Sequence, residues 1–225
     1  MLRYVRRFLF LMAFHLYAKK KMHREDRISL FGFDLIIPPT VFHPRLYFTS
    51  RVLSEFITAL TLESKTFLDV GCGSGIISLV AAQKGARITS IDINPAAVEA
   101  TKKNARLNLA NNILDIFQSN LFENVSPESR FDYIVWNPPF FPYESMDQQS
   151  DAFNAGKNYS VIKQFSESAK NYLAKSGSIF IILTTDMDIK TVLSFFKEDY
   201  SIEMRESRRL VFETLFIYEI QRKVE

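Results

Sequence analysis

Three glycines at alternate positions, Gly71, Gly73 and Gly75, stand between the apolar pentad TFLDV (66–70) and an apolar run that begins at Ile76. A glycine-rich turn between a strand and a helix lets backbone approach a ligand closely. Asp69 precedes the turn. There its carboxylate would repel a pyrophosphate and would suit a cationic ligand, or would hold the loop by accepting backbone N–H groups. The dinucleotide fingerprint G-x-G-x-x-G asks for glycine at position 76, where this chain has isoleucine. Asp92 follows the loop by about 20 residues, the interval at which an acidic side chain meets ribose hydroxyls. Ile93 beside it could cover one face of an adenine, and in QSNLFE Asn120 can meet the adenine edge with Leu121 beside the ring. Each residue alone has a plainer reading as a turn cap, a solvated strand end or a loop residue. Their recurrence at successive strand ends points to one ligand crevice.

A second stretch, VWNPPFFPY (135–143), raises its own question. An apolar run ends in an amide, Asn137, followed by Pro138, Pro139 and the aromatic Phe140. Asn-Pro and Pro-Pro are ordinary loop signals. They also stiffen whatever polar groups they carry.

The elements that must position these residues alternate in kind. ISLFGFDLII (28–37) reads as a short hairpin around Gly32, and 38–45 as a proline-punctuated loop. Residues 50–60 read as a helix with Ser50 as its cap. Strands are expected at 66–70, 87–92, 113–118, 131–136 and 178–185. Helices are expected from Ile76 to the closing Gly85, from the Asn94 cap with Pro95 behind it, over 159–175 and over 187–198. Two β-rich segments, 201–207 and 210–220, flank a short turn at Arg208–Arg209. Strand–helix alternation predicts an α/β fold: a Rossmann-like, doubly wound, mostly parallel seven-stranded sheet with helices on both faces and an antiparallel edge pair.

The chain has 225 residues, 47% hydrophobic and 24% charged, enough for one large domain with a sizeable core. Residues 1–45 read as an extension made of a basic helix and the hairpin, and 46–225 as the main domain. The net charge of +3 is a weak bias toward anionic partners. One cysteine, Cys72, and three scattered histidines offer no disulfide framework and no metal set, and fit a reducing cytoplasm. At the N-terminus, an apolar run from Phe8 to Leu16 lies between Arg6–Arg7 and Lys19–Lys21. It is too short to span a bilayer and lacks a small-residue cleavage site. It reads as a basic amphipathic helix packed on the domain or a partner, with a membrane surface or RNA as the sharper alternative.

Over about residues 35–220, LDVGCGSGIISLVAA, IDINPAAVEATKKNARLN and NPPF resemble the class I S-adenosylmethionine-dependent methyltransferases, in the branch with an Asn-Pro-Pro-aromatic motif. Within it, TVFHPR before a helix resembles release-factor glutamine methyltransferases, while Phe140 is common in relatives acting on guanine N2 of ribosomal RNA. The resemblance implies S-adenosyl-L-methionine as cofactor, with Asp69, Gly71, Gly73 and Gly75 at its methionine end. It places Asp92 on the ribose and Ile93, Asn120 and Leu121 around the adenine. It implies methyl transfer to a planar amide or amino nitrogen, of a protein glutamine or of an RNA or DNA base. The Asn137 side-chain oxygen and the Pro138 carbonyl would then accept both hydrogens of that group, aiming a poorly nucleophilic nitrogen and favouring charge developing on it. Phe140 would stack on the flat substrate. Residues 141–158 exceed a tight turn and suggest a lid. Two other readings stay open: a nicotinamide-dependent oxidoreductase, opposed by Ile76 and Asp69, and an inactive cofactor-binding scaffold, opposed by the intact NPPF.

Overall fold

The computed structural model describes residues 24–110, 112–143 and 154–223. The proposed basic N-terminal helix, with its membrane or partner contact, lies outside these residues. β1 (Asp26–Leu30) and β2 (Phe33–Ile37) form an antiparallel hairpin turned by Phe31 and Gly32. Then follow α1 (Phe48–Thr58), β3 (Thr66–Val70), α2 (Ile76–Gln83), β4 (Arg87–Asp92), α3 (Pro95–Leu107), β5 (Ile113–Gln118) and β6 (Phe131–Trp136). A 3-10 turn at Lys157–Tyr159 leads into α4 (Ser160–Ala169), β7 (Leu173–Thr184), α5 (Ile189–Ser194), β8 (Tyr200–Arg209) and β9 (Thr214–Arg222).

Seven strands form one sheet in the order β5-β4-β3-β6-β7-β9-β8. The pairs among β3 to β7 are parallel, and β9 joins β7 and β8 antiparallel, which gives the expected edge pair. Residues 179–184 of β7 are buried without exception, as a central strand covered on both faces requires. One core cluster packs α1, α2 and the hairpin against one face, through Leu35, Ile37, Val52, Leu79 and Val80. A second packs α4 and α5 against the other, through Phe165, Ile162, Val192 and Phe196. The hairpin is built into the first cluster, and Asn104 of α3 clamps Ile36 by accepting its N–H (2.8 Å) and donating to its carbonyl (3.0 Å).

Several boundaries differ from the sequence expectation, among them the start of β7 at Leu173, and three have a clear physical reason. α1 begins at Phe48, with Tyr47 at the N-cap and no side-chain cap, so Ser50 sits inside the helix. α4 stops at Ala169 and does not reach 175, because the chain turns there and Leu173 is already paired with Phe131 in the sheet. Arg208 and Arg209 are strand residues paired with Leu215 and Thr214, and the turn falls at 210–213, closed by Leu210 N–H donating to the Glu213 carbonyl at 2.8 Å. Arg208 is held in the strand by ion pairs with Glu206 beside it and Glu55 of α1. The Asn94 cap holds as expected: its Oδ1 accepts from Ala96 N–H at 2.9 Å, with Pro95 as the first helical residue.

Candidate active site

A cavity of about 400 Å³ opens at the carboxyl ends of β3, β4 and β6. It lies where the strand order reverses, with β4 on one side of β3 and β6 on the other. Open α/β sheets place ligands at this point.

The glycine loop forms its floor. Gly71 and Cys72 both donate to the Ile91 carbonyl (2.8 and 3.0 Å), and Gly73 N–H donates to Asp92 Oδ2 at 2.9 Å, which ties the loop to β4. Gly71, Gly73 and Gly75 have φ of 70°, 55° and 80°, a region that side chains with a Cβ disfavour. At Gly75 a Cβ would also stand 2.9 Å from Thr101 Cγ2 of α3. Thr101 in turn donates to the Gly73 carbonyl at 3.1 Å, so the loop is clamped between strand and helix. Gly71 and Gly73 line the cavity, while Gly75 lies behind it.

Asp69 also lies behind the loop, wholly buried. Its Oδ2 accepts from Ser78 Oγ at 2.5 Å, Ser78 lies 2.8 Å from Ser90 Oγ, and its Oδ1 has no partner. Burial pushes this carboxyl up to about 7, with the Ser78 hydrogen bond working against that and the charge of Asp92 adding to it. Asp92 stands at the cavity wall, its Oδ1 accepting from Asn94 N–H at 2.9 Å. Asn94 then reaches back: its Nδ2 donates to the Thr40 carbonyl (3.2 Å) and contacts Thr40 Oγ1 (3.3 Å), so the 38–45 loop is drawn to the cofactor side. Ile93 is 44% exposed and lines the same wall as Leu121. Asn120 lines it too, with its Nδ2 donated to Glu123 at 2.8 Å, which leaves its amide oxygen toward other donors.

The opposite wall comes from the end of β6 and from α1. Asn137 Nδ2 donates to Ser50 Oγ at 3.2 Å, while Asn137 Oδ1 is buried with no partner. Pro138, Pro139 and Phe140 line the cavity beside it. Phe140 meets Phe42 edge to face (6.4 Å, 65°), and Phe42 stacks on Tyr47 at 4.6 Å. Asn154, Gly156, Val161 and Gln164 complete the enclosure. Their segment is pinned where Ala155 N–H donates to the Phe141 carbonyl at 2.7 Å. Residues 144–153 of the suggested lid lie outside the described residues. Trp136 stacks on Phe165 at 4.1 Å, as a packing residue would. The Cys72 thiol is buried and pushed well up by desolvation, hence neutral. His43 is buried and its Nε2 lies 3.0 Å from Asp26 Oδ2, a tie between the loop and β1.

Ten of the twelve sequence-derived site residues therefore meet around one cavity, and Asp69 and Gly75 support it from behind. Sequence reasoning missed Ser50, Thr40 and Phe42 on the walls. Nothing local marked them: a serine one turn into a helix and a phenylalanine in a chain with 21 of them carry no signal.

The cavity fits S-adenosylmethionine on its own features. The unpartnered carboxylate oxygen of Asp69 suits a nearby cation, the Asp92 carboxylate at the wall is the kind of acceptor that hydroxyls meet, and Ile93 with Leu121 offers apolar faces to a ring. Fold and site together define a Rossmann-like S-adenosylmethionine-dependent methyltransferase. The chain belongs to the Methyltransferase small domain family, which matches residues 33–211; that match displaces the nicotinamide alternative. It is 32% identical over 198 residues to a putative protein N5-glutamine methyltransferase of Methanocaldococcus jannaschii, spanning 84% of this chain and 96% of that protein. It is 30% identical over 155 residues to the ribosomal RNA small subunit methyltransferase C of Buchnera aphidicola, covering 68% of this chain but only 43% of that longer protein. Among solved structures, the T. thermophilus 16S rRNA N2 G1207 methyltransferase with AdoMet and guanosine superposes with a TM-score of 0.63 at 19% identity, over 88% of this chain and 50% of that one. The E. cuniculi complex that methylates the eRF1 termination factor gives 0.62 at 21%, over 82% and 99%.

Proposed function

We propose that this chain methylates the side-chain amide nitrogen of glutamine in a protein. The observation that carries the nitrogen chemistry is the Asn137 amide oxygen, buried on the cavity wall without a hydrogen-bond partner. A buried acceptor left open is costly unless a ligand fills it. An NH2 group of a planar amide supplies the missing donor. When bound, S-adenosylmethionine supplies a methyl group already activated by its sulfonium. Gly71 and Gly73 would pass beneath it, Asp69 would act on its cationic end through the field from behind the loop, Asp92 would hold its ribose, and Ile93, Asn120 and Leu121 would surround its adenine.

The chain's own part is orientation. Asn137 Oδ1 takes one N–H of the acceptor and the Pro138 carbonyl takes the other, while Pro139 stiffens the turn and Phe140 bounds the flat group. Asp92 and the neutral Cys72 are the titratable side chains among the described lining residues. Asp92 already accepts from Gly73 and Asn94. No general base is needed before transfer, because the methylated amide nitrogen is strongly acidic and releases its proton to water. Fixed dipoles at the cavity wall carry the rate.

Glutamine is favoured because similarity to the archaeal relative runs through nearly the whole of both chains. A nucleobase amine is the second reading, favoured by the aromatic pair Phe42 and Phe140 at the cavity wall, which suits stacking of a base. A cytoplasmic setting belongs to the proposal; among the described residues no helix is long and apolar enough to cross a membrane. Transfer of labelled methyl groups from S-adenosylmethionine into a cell extract tests all of this. Protease-sensitive label that yields methylamine on acid hydrolysis supports glutamine. Nuclease-sensitive label transfers the assignment to a base, and absence of label removes the activity.

A further inference from the structure

Asn137 has two ends, and only one of them is useful to an NH2 substrate. Its oxygen accepts, whereas its own NH2 would meet the acceptor donor to donor. Asn137 lies at the exit of β6, in a turn stiffened by two prolines that fix the backbone but leave the amide free to rotate by half a turn about its last bond. Its orientation is therefore set by neighbours. Among the described residues, the side chain hydrogen-bonded to it is Ser50, 87 positions earlier in the chain and itself buried. Ser50 sits on the first turn of α1, a helix whose Val52, Leu53 and Ile57 are locked into the core, so the hydroxyl is carried by a rigid element.

Resting on the N-methyl transfer just proposed, we infer that Ser50 is a positioning residue: its hydroxyl oxygen accepts from Asn137 Nδ2 and so turns Asn137 Oδ1 toward the acceptor nitrogen. Three features agree. The Ser50 contact is to the nitrogen end of the amide at 3.2 Å. The oxygen end is buried and open. Both residues line the one cavity. The opposite rotamer would point an NH2 dipole at a cavity meant for a sulfonium and a donor substrate, which electrostatics opposes. Ser50 touches neither cofactor loop nor glycines through any described hydrogen bond, so its action runs through Asn137. The lost interaction is one neutral hydrogen bond, and the lost orientation halves or worse the competent population at each encounter. A drop of about 10-fold in turnover is the expected scale.

The test is a double-mutant cycle, read as initial rates of tritium transfer from S-adenosylmethionine into a fixed amount of cell extract. Ser50→Ala lowers kcat about 10-fold in the otherwise unchanged chain and has no further effect on the residual rate of Asn137→Ala. Ser50→Thr, which keeps an acceptor oxygen, restores the rate, and the near-isosteric Ser50→Cys, a weak acceptor, does not. A readout independent of turnover is the Asn137 side-chain NH2 resonance pair in a 15N-labelled sample. Its hydrogen-bonded proton exchanges faster with water in Ser50→Ala, while S-adenosylmethionine affinity by titration calorimetry stays unchanged. An equal loss from Ser50→Ala in both backgrounds, or an unmoved Asn137 resonance, overturns the inference. Full activity of Asn137→Ala overturns the underlying reading instead, so the two failures are separable.

Discussion

On the wall proposed for the cofactor, Gly71, Gly73, Asp92, Ile93, Asn120 and Leu121 sit at the end of a strand of the sheet or on the short turn just after it. On the acceptor side, Asn137 owes its orientation to a serine 87 positions away, and Phe140 meets Phe42 across nearly a hundred. The first wall is held by backbone donors converging on Ile91 and Asp92. The second is held by single side-chain contacts between α1, the 38–45 loop and the turn after β6. A wall made of backbone geometry resists change, because no single side chain carries it. A wall made of isolated side chains can be altered one residue at a time, so acceptor choice is free to diverge while the cofactor half stays constant. Relatives of this chain bear names with protein and RNA acceptors, as that division expects.

If the division holds, substitutions on the two walls separate turnover from cofactor affinity. Asn137→Ala lowers turnover about 10²- to 10³-fold, the range seen when one preorganised polar contact to the reacting group is removed. Calorimetry with S-adenosylmethionine shows unchanged affinity, and normal turnover in this variant would remove the role given to the amide. Asp92→Ala acts the other way. It loses charge-assisted hydrogen bonds and releases Gly73 and Asn94, so cofactor Kd rises roughly 10- to 100-fold while kcat at saturating cofactor largely recovers.

Asp69 gives the division a pH dependence. Its carboxyl is pushed up to about 7 by burial, so it is neutral below that pH and charged above. A cationic cofactor end favours the charged form. Affinity for S-adenosylmethionine therefore rises as pH climbs toward and through about 7, with up to about 10-fold lost per unit below it, and Asp69→Asn flattens the profile. The cofactor-free protein shows the opposite trend. An acid whose folded value exceeds its unfolded value of about 3.8 binds protons more tightly when folded, so stability falls as pH rises from about 4 to 7. Thermal melts across that window, with and without cofactor, check both signs.

Gly75→Ala forces a side chain into a φ of 80° against Thr101, which costs about 1–3 kcal/mol of stability in urea unfolding. The smallest effect is expected on the acceptor wall. Phe140→Leu keeps an apolar boundary but loses the flat face, raising the acceptor KM a few-fold with cofactor affinity unmoved.

Much of this molecule was legible before any coordinates. Strand and helix types, the seven-stranded, mostly parallel sheet with its antiparallel edge, the Asn94 cap and ten cavity residues follow from apolar periodicity, glycine placement and the spacing of Asp92 and Asn137 from their strands, whereas the order of the strands is read only from the structure. These are local signals, because each depends on residues within a turn or two of itself. The errors were local signals that a distant contact overrode. Ser50 looked like a cap, yet the helix begins earlier because the 38–47 loop packs Leu46 into the core and stacks Tyr47 on Phe42. Arg208 and Arg209 looked like a turn, yet ion pairs to Glu55 and Glu206 draw Arg208 into β8.

The sequence alone determined the fold class, the glycine loop and the amide, Asn137, that stands at the cavity wall, because backbone conformation near glycine, proline and a strand end is dictated by immediate neighbours. Only the tertiary structure decided that Asp69 is buried behind the loop, that Asn94 ties Thr40 to the cofactor side, and that Ser50 holds one end of Asn137. Those facts depend on which distant side chains packing brings within about 3 Å of each other, a quantity set by the closing of the core and by no single stretch of the chain.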